Sequence, residues 1–520
     1  MAGGRLAVGL GAQGINGGQQ LVGSAFKLLK FEVQAVVHGM EWGGRRVALG
    51  KRYGKTRVRN KPTKLEHGEW PLAGRLVLVL VLYALYLPLS GYQPQHLRFD
   101  AGQYWELSLK FFQQGRFSLL HYDEPVRGYL GPLLVQPGRL LCHLTGWPAL
   151  RGAQALGAGW AALLFGGAIP AAWRLGSGQA LSGRRWLLLV GLGFVFWRDY
   201  FNFPLSDMPA LTLLLLGLAA LWRPHWGWTL AAGLLLAGAL NIRPIYLASL
   251  PPVLWLLIRK PGRGLRHGAF AAGAALVLLP QLLINLRHFG QATPLVLAAP
   301  ATKRALYLQQ LTWGTAFQRV ETSLMPEYPR QVLFADPAGQ AALAVGPGAA
   351  FNSYPDFIHF TRKHPVDFAV RCARHVFNGL DIRFATPYLR ELHPSGQAGL
   401  RVLNYVLLAA ALALVLAGWR NRPRSQKLQG PATALLLALL LPCALAIPTA
   451  MECRFLLPLH LLLLTLVAAS ARPLAWLQQA GPGRRALACL LLLGWVWGCW
   501  QLSEDTARYL QPESAARRYE

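Results

Sequence analysis

The hydropathy of this chain changes in blocks. After a polar first seventy residues or so, apolar stretches recur at 72–90, 152–173, 186–197, 205–222, 227–241, 244–258, 269–286, 402–418, 431–449, 455–471 and 486–501. Most are long enough, as helices, to cross a hydrocarbon core of about 30 Å, and the shorter ones need neighbours to complete a crossing. The pattern predicts an all-α polytopic membrane protein with about eleven transmembrane helices. One more apolar stretch, 129–146, contains Pro132, Pro137, Arg139 and His143 and makes a poor lipid-facing helix. It is expected to lie along the interface or to re-enter. Were it to span, the count would be twelve and the early loops would conflict with the distribution of positive charge.

The blocks suggest five regions. Residues 1–70 form a Gly-rich, then basic, cytoplasmic leader, with an amphipathic stretch around Phe26 to Val37. Its GxGxxG match, Gly9, Gly11 and Gly14, lacks the preceding strand and following helix that a dinucleotide site needs. No cleavable signal peptide is visible, so the first span is expected to act as a signal anchor. Residues 71–286 form an N-terminal transmembrane module with a first outer loop at 92–128. The polar, Pro- and aromatic-rich segment 287–401 is expected to be a small outer domain. Residues 402–501 form C-terminal transmembrane helices, and 502–520 a polar tail.

Composition supports the membrane class and fixes an orientation. Of 520 residues, 53% are apolar and 14% charged, and 52 Lys and Arg against 22 Asp and Glu give a formal charge of +30. The basic residues punctuate the spans instead of gathering on one soluble face, which points to anionic lipid head groups as partners and away from nucleic acid. With the basic loops inside a plasma (inner) membrane, 92–150 and 287–401 lie outside, as does the C-terminus after eleven crossings. The six cysteines are scattered without metal-ligand spacing or pairing, so neither a zinc site nor a disulfide framework is expected.

On this topology the acids are partitioned. Asp100, Glu106, Asp123 and Glu124 fall in the first outer loop, Asp199 and Asp207 flank the next outer turn, and Glu452 sits at a later one. Asp100 precedes a helical stretch, AGQYWELSLKFFQQG, in which Trp105, Phe111 and Phe112 read as interfacial packing. It is either the N-cap of that helix or a carboxylate able to accept a proton. In FWRDYFNFPLSDMPAL, Asp199 lies in an aromatic turn and Asp207 opens a span, where the helix dipole favours a carboxylate. The two turns could supply a general base and an orienting partner. Arg243 in NIRPIY and Arg454, beside Glu452 in MECRFLLPL, add positive charge on the same side. Either they hold a lipid-linked phosphate through paired hydrogen bonds, or they snorkel to head groups. No P-loop, HExxH or GxSxG motif is present.

An outer-loop acid soon after the first span, PLSDMPAL opening a later span, and a late ExRFLLPL element together resemble the membrane glycosyltransferases of the GT-C superfamily. Within it the likeness is to bacterial members related to protein O-mannosyltransferases and to the aminoarabinose transferase of lipid A, over most of 72–501. The resemblance implies transfer of a hexosyl or pentosyl group from a polyprenyl-phosphate carrier to a glycan, lipid or protein acceptor on the outer face, with inversion. By position, Asp100 matches the first-loop catalytic acid, Asp207 or its neighbour Asp199 the second acidic position, and Glu452 and Arg454 the late Glu-x-Arg-aromatic motif. Two departures leave donor sugar and acceptor open: Ala101 follows Asp100 where the protein mannosyltransferases have a second acid, and RGYLGPLL replaces their double-proline motif.

The expectation is thus a GT-C-like membrane glycosyltransferase with Asp100, Asp207 and Asp199 as catalytic candidates. Glu106, Asp123, Glu124, Arg243, Glu452 and Arg454 are candidates for substrate binding. No cofactor is fixed by these residues, and a divalent cation stays open. A transporter or lipid flippase would share the composition but usually keeps ionisable groups near the bilayer midplane. A polysaccharide polymerase or ligase is chemically closer.

Overall fold

The computed structural model describes residues 68–259, 263–299, 304–345, 350–420, 430–470 and 481–519. The GxGxxG match and the Phe26 to Val37 stretch lie outside the described residues. Each expected apolar stretch falls on a helix. Among the described residues, five helices are long and apolar enough to cross a membrane: Leu72–Leu89, Ala149–Ser177, Gly264–Phe289, Gln397–Gly418 and Pro482–Arg508. Shorter apolar helices occupy Asp207–Trp222, Trp226–Ile242, Pro244–Arg259, Gly430–Ala446 and Cys453–Ala469, and Gly183–Trp197 carries the remaining stretch. The chain is a mostly helical membrane protein.

Lipid as solvent explains which faces are apolar. The Pro482–Arg508 helix leaves Leu490, Leu491, Leu493 and Trp497 uncovered by protein, whereas the Asp207–Trp222 helix buries most of its side chains. Lipid tails are as apolar as leucine, so helices associate here through close packing. Gly233 and Gly273 show this reciprocally: a Cβ on either would run into the backbone of the other helix, at Phe270 and Leu230 respectively.

The Asp207–Trp222 and Trp226–Ile242 helices are joined by a short turn and pack side by side. The start of the first and the end of the second therefore share one end of the bundle. The same end carries the polar segment between Phe289 and Gln397, and is called the domain end below.

That segment is not purely helical. β3 (Phe317–Thr322) pairs antiparallel with β4 (Gln331–Ala335), and β4 with β5 (Leu510–Gln511). Phe317, Val320, Thr322, Val332 and Phe334 supply the aromatic and β-branched side chains that suit a pleated, half-buried surface. The all-α expectation is corrected to that extent. The polar-tail expectation for 502–520 is corrected too, because the last long helix runs to Arg508 and the following residues add the third strand. The residues that follow the last long helix consequently lie beside 317–335.

The first loop also differs from expectation in detail. Helix Phe99–Leu107 stops early, and FFQQG forms a hairpin of β1 (Phe112–Gln113) and β2 (Arg116–Phe117) instead of continuing the helix. Gln114 and Gly115, with φ of 49° and 76°, make the two-residue turn that a tight hairpin requires. In the 129–146 stretch, Gln136–Thr145 is a ten-residue amphipathic helix with Leu140 and Leu144 exposed. At about 15 Å it is too short to span, which suits an interfacial position.

The shared side of β4 and β5 yields a labelling prediction. In a background without native cysteines, Glu327→Cys and Ser514→Cys should react from the same face of the membrane and Gly264→Cys from the opposite one. In intact cells, an impermeant thiol reagent should modify positions 327 and 514 and spare 264. Modification at 264 alone would reverse the orientation.

Candidate functional site

The helix bearing Asp100 begins in a constrained way. Its N-cap position is Arg98, Phe99 has a positive φ of 51°, and Asp100 lies in the first turn. A positive φ on a bulky residue costs energy and persists only where surroundings enforce it. Tyr388 provides the enforcement: its hydroxyl accepts from Ala101 N at 3.1 Å and donates to Arg98 O at 3.1 Å. Gly102 fits because a Cβ there would stand 2.8 Å from Leu97 O. Asp100 does not cap the helix, and the N-cap alternative is set aside.

Its carboxylate is used elsewhere. Oδ1 lies 2.5 Å from Arg127 Nη2 and Oδ2 3.1 Å from Arg454 Nη2. Arg127 is steadied by Gln103 Oε1 at 3.1 Å and Tyr104 Oη at 3.2 Å, and its guanidinium covers the Tyr104 ring. Arg454 also pairs through Nε with Glu452 at 2.5 Å and approaches Asp207 Oδ2 at 3.9 Å. Asp207 in turn pairs with Arg243. Asp100, Asp207 and Glu452 thus meet Arg127, Arg243 and Arg454 in one charge-balanced cluster at the domain end. A cavity of 20 Å³ beside Asp207, Arg243 and Arg454 has room for about one water.

Burial pushes the Asp100 carboxyl upward, but the attraction of Arg127 and then Arg454 outweighs it and holds the group below the usual carboxylate range. Arg127 shifts the opposite way: Tyr104 and Asp100 raise it against the opposing effect of burial. The pair is therefore ionised at neutral pH. One third of the Asp100 side chain remains exposed, against 3% for Asp207, so Asp100 is the acid of the two that a ligand can reach.

The other candidates lie apart. Asp199 accepts a 2.6 Å hydrogen bond from Tyr86 Oη and pairs with neither Asp100 nor Asp207. Burial raises its pKa against the Tyr86 hydrogen bond and the charges of Arg198 and Arg390. The expected pairing of Asp199 with Asp207 is not formed, because the Arg198–Asn202 turn directs Asp199 to the first span. Asp123 and Glu124 pair with Lys110 at 2.6 and 3.8 Å, away from the cluster. Glu106 is exposed and has no ion pair among the described residues.

Arg127 is the member that sequence reasoning missed. Its place is set by the residues after it. Gly128 packs against the Asn241 backbone and side chain where a Cβ would not fit. Leu130 N donates to Asn241 Oδ1 at 3.0 Å, and Asn241 donates to Gln281 at 2.9 Å. The signal available was an Arg-Gly pair enclosed by Pro125 and Pro132 in an otherwise apolar stretch.

No family model, curated protein or solved structure matches the chain. Fold and site define a mostly helical membrane protein with a partly buried carboxylate–arginine cluster at one end of its bundle.

The cluster makes a stability prediction. Removing one partner of a buried ion pair leaves the other charge unpaired, so Asp207→Ala should cost about 3–5 kcal/mol. Adding Arg243→Leu should recover part of that loss. Thermal unfolding of purified protein in nanodiscs reads both, and an Asp207→Ala transition at the wild-type temperature would contradict the arrangement.

Proposed function

We propose that the protein is an integral membrane glycosyltransferase that moves a sugar from a polyprenyl-phosphate carrier to an acceptor hydroxyl, with inversion, on the outer face of the plasma membrane. The observation that carries this reading is the partly exposed Asp100 carboxylate held between Arg127 and Arg454 at the end of the bundle that carries the polar segment between Phe289 and Gln397. A transferase using a lipid phosphate needs an oxygen to orient and deprotonate the acceptor and cations to take up charge on the departing phosphate. A flippase or transporter needs its ionisable groups along a path through the bilayer. Here the paired acids and arginines sit at helix ends.

In the proposed reaction the acceptor oxygen bonds to the anomeric carbon as the bond from that carbon to the phosphate oxygen breaks. The acceptor proton passes to Asp100, and polyprenyl phosphate leaves as the anion. Arg127 and Arg454 occupy Asp100 in the resting protein, and the phosphate of an incoming donor competes for them. As the arginines turn to the phosphate, Asp100 loses the attraction that depresses its pKa and becomes a stronger base. Arg243 and Glu452 hold Asp207 and Arg454 in place, while Glu106, Asp123, Glu124 and Asp199 have no part in this step.

Purified wild type should release polyprenyl phosphate from a polyprenyl-phosphate sugar in the presence of acceptor. Asp100→Asn should lose about a hundredfold to ten-thousandfold of that rate. Arg454→Ala should impair use of donor more than Arg454→Lys does, because lysine keeps the charge but not the planar fork. Full activity in Asp100→Asn would remove the basis of the reading, and equal activity of both Arg454 variants with wild type would assign that residue to structure.

A further inference from the structure

A second polar cavity lies outside the cluster. It measures 440 Å³ and opens between the end of the Gly183–Trp197 helix and the segment from Arg383 to Leu403, a size usual for small-ligand sites. Arg198, Asp199, Arg383, Thr386, Arg390 and Gln397 are on its wall.

Two of its arginines, Arg198 and Arg390, form no ion pair among the described residues. Arg198 rests on the rings of Tyr86 and Phe194 at 5.3 and 5.5 Å, and donates from Nε to Tyr86 Oη at 2.9 Å. It makes no ion pair among the described residues. Arg390 lies 4.4 Å over the Tyr92 ring and makes neither a hydrogen bond nor an ion pair among them. Gly91 leaves room for its head: a Cβ there would come within 3.1 Å of Nη1. Arg198 Nη1 also donates to Val195 O at 3.4 Å; stacking on an aromatic face orients a guanidinium while leaving its remaining outer N–H groups available.

The carboxylates nearby do not complete these arginines. Asp199, which accepts from Tyr86, attracts Arg198 and Arg390 without forming an ion pair with either, Glu391 is exposed on the rim, and Arg383 is matched by Glu504 at 3.3 Å. The first turn of the Gln397–Arg420 helix lines the same cavity, and its dipole adds positive potential.

We propose that this cavity is a binding site for a phosphate-class anion, held by Arg198 and Arg390 and separate from the Asp100 cluster. Planar guanidiniums fixed in direction suit the paired hydrogen bonds that phosphate oxygens accept. The cavity adjoins the ends of the Leu72–Tyr86 and Gly183–Trp197 helices, beside Tyr86 and Tyr92, where membrane head groups and amphipathic aromatic rings meet. The phosphate is borne by a lipid or arrives free. The proposal does not depend on sugar transfer.

Binding of radiolabelled dodecyl phosphate and inorganic phosphate to the full-length protein in a neutral detergent tests it. Dodecyl phosphate should bind saturably, and Arg390→Gln should weaken one class of site by about tenfold or more, the value of a lost charged hydrogen bond. Arg198→Gln should do the same. Asp199→Asn, which keeps a hydrogen-bonding partner for Tyr86 and removes a negative charge, should bind at least as tightly as wild type. Arg454→Ala should leave this class of site intact, so loss of donor use at the cluster and loss of anion binding here are separable. Displacement by inorganic phosphate identifies a site for the phosphate group alone, and resistance to it identifies a lipid head-group site. Wild-type affinity and site number in both Arg390→Gln and Arg198→Gln would overturn the proposal.

Discussion

The carboxylate of Asp100 is shared by Arg127 and Arg454, and this one sharing joins parts of the chain that are 27 and 354 positions away from it. Taking three charged groups partly out of water costs several kcal/mol each, and only close geometry with further hydrogen bonds offsets that cost. Much of the domain end supplies those further bonds. Gln103 and Tyr104 complete Arg127, Glu452 and Asp207 complete Arg454, and Tyr388 fixes the turn from which Asp100 projects.

The domain between the two halves of the bundle acts as a brace for this arrangement. Val320 N donates to Met451 O at 3.0 Å and Ala450 N to Gln310 O at 3.1 Å, so the turn leading to Glu452 and Arg454 is attached to β3 and the helix before it. His375 bonds Ile447 O at 2.6 Å from the same side. Arg319 lies 2.6 Å from Glu321 and 3.2 Å from Asp381, and Asp381 accepts from Tyr405 and Ser503 on the last membrane helices. A buried network in which these groups hold one another makes a rigid support. In the proposed transfer this rigidity allows a small change at the arginines, from carboxylate to phosphate, to act on Asp100 without disturbing the fold.

Much of this was legible along the chain, for identifiable reasons. Apolar stretches of helical length appear as helices because lipid leaves the backbone little choice. Asp207, Arg243, Glu452 and Arg454 lie at helix ends next to recognisable motifs, so their shared location followed from alternating direction. Asp199 misled because adjacency in sequence does not fix direction: a short turn separates it from Asp207 and points it to Tyr86. Arg127 has no periodic context, and its position depends on Asn241 and Gln281 more than a hundred residues away. The strands escaped notice: β1 and β2 fall in a stretch patterned like a helix, and β5 lies beyond the last membrane helix and pairs with β4 only through tertiary structure. In each case long-range contacts decided what local pattern could not.

The central claim is that Asp100 is held ionised by arginines that a donor phosphate can take from it. It is tested most directly by comparing the acid limbs of kcat and kcat/KM for transfer by the purified protein. The limb of kcat/KM reports the free protein and that of kcat the donor complex. With Asp100 depressed by Arg127 and Arg454 in the free state and released in the complex, kcat should begin to fall at a higher pH than kcat/KM as the solution is acidified. Coincident limbs, or a kcat limb at the lower pH, would contradict the account.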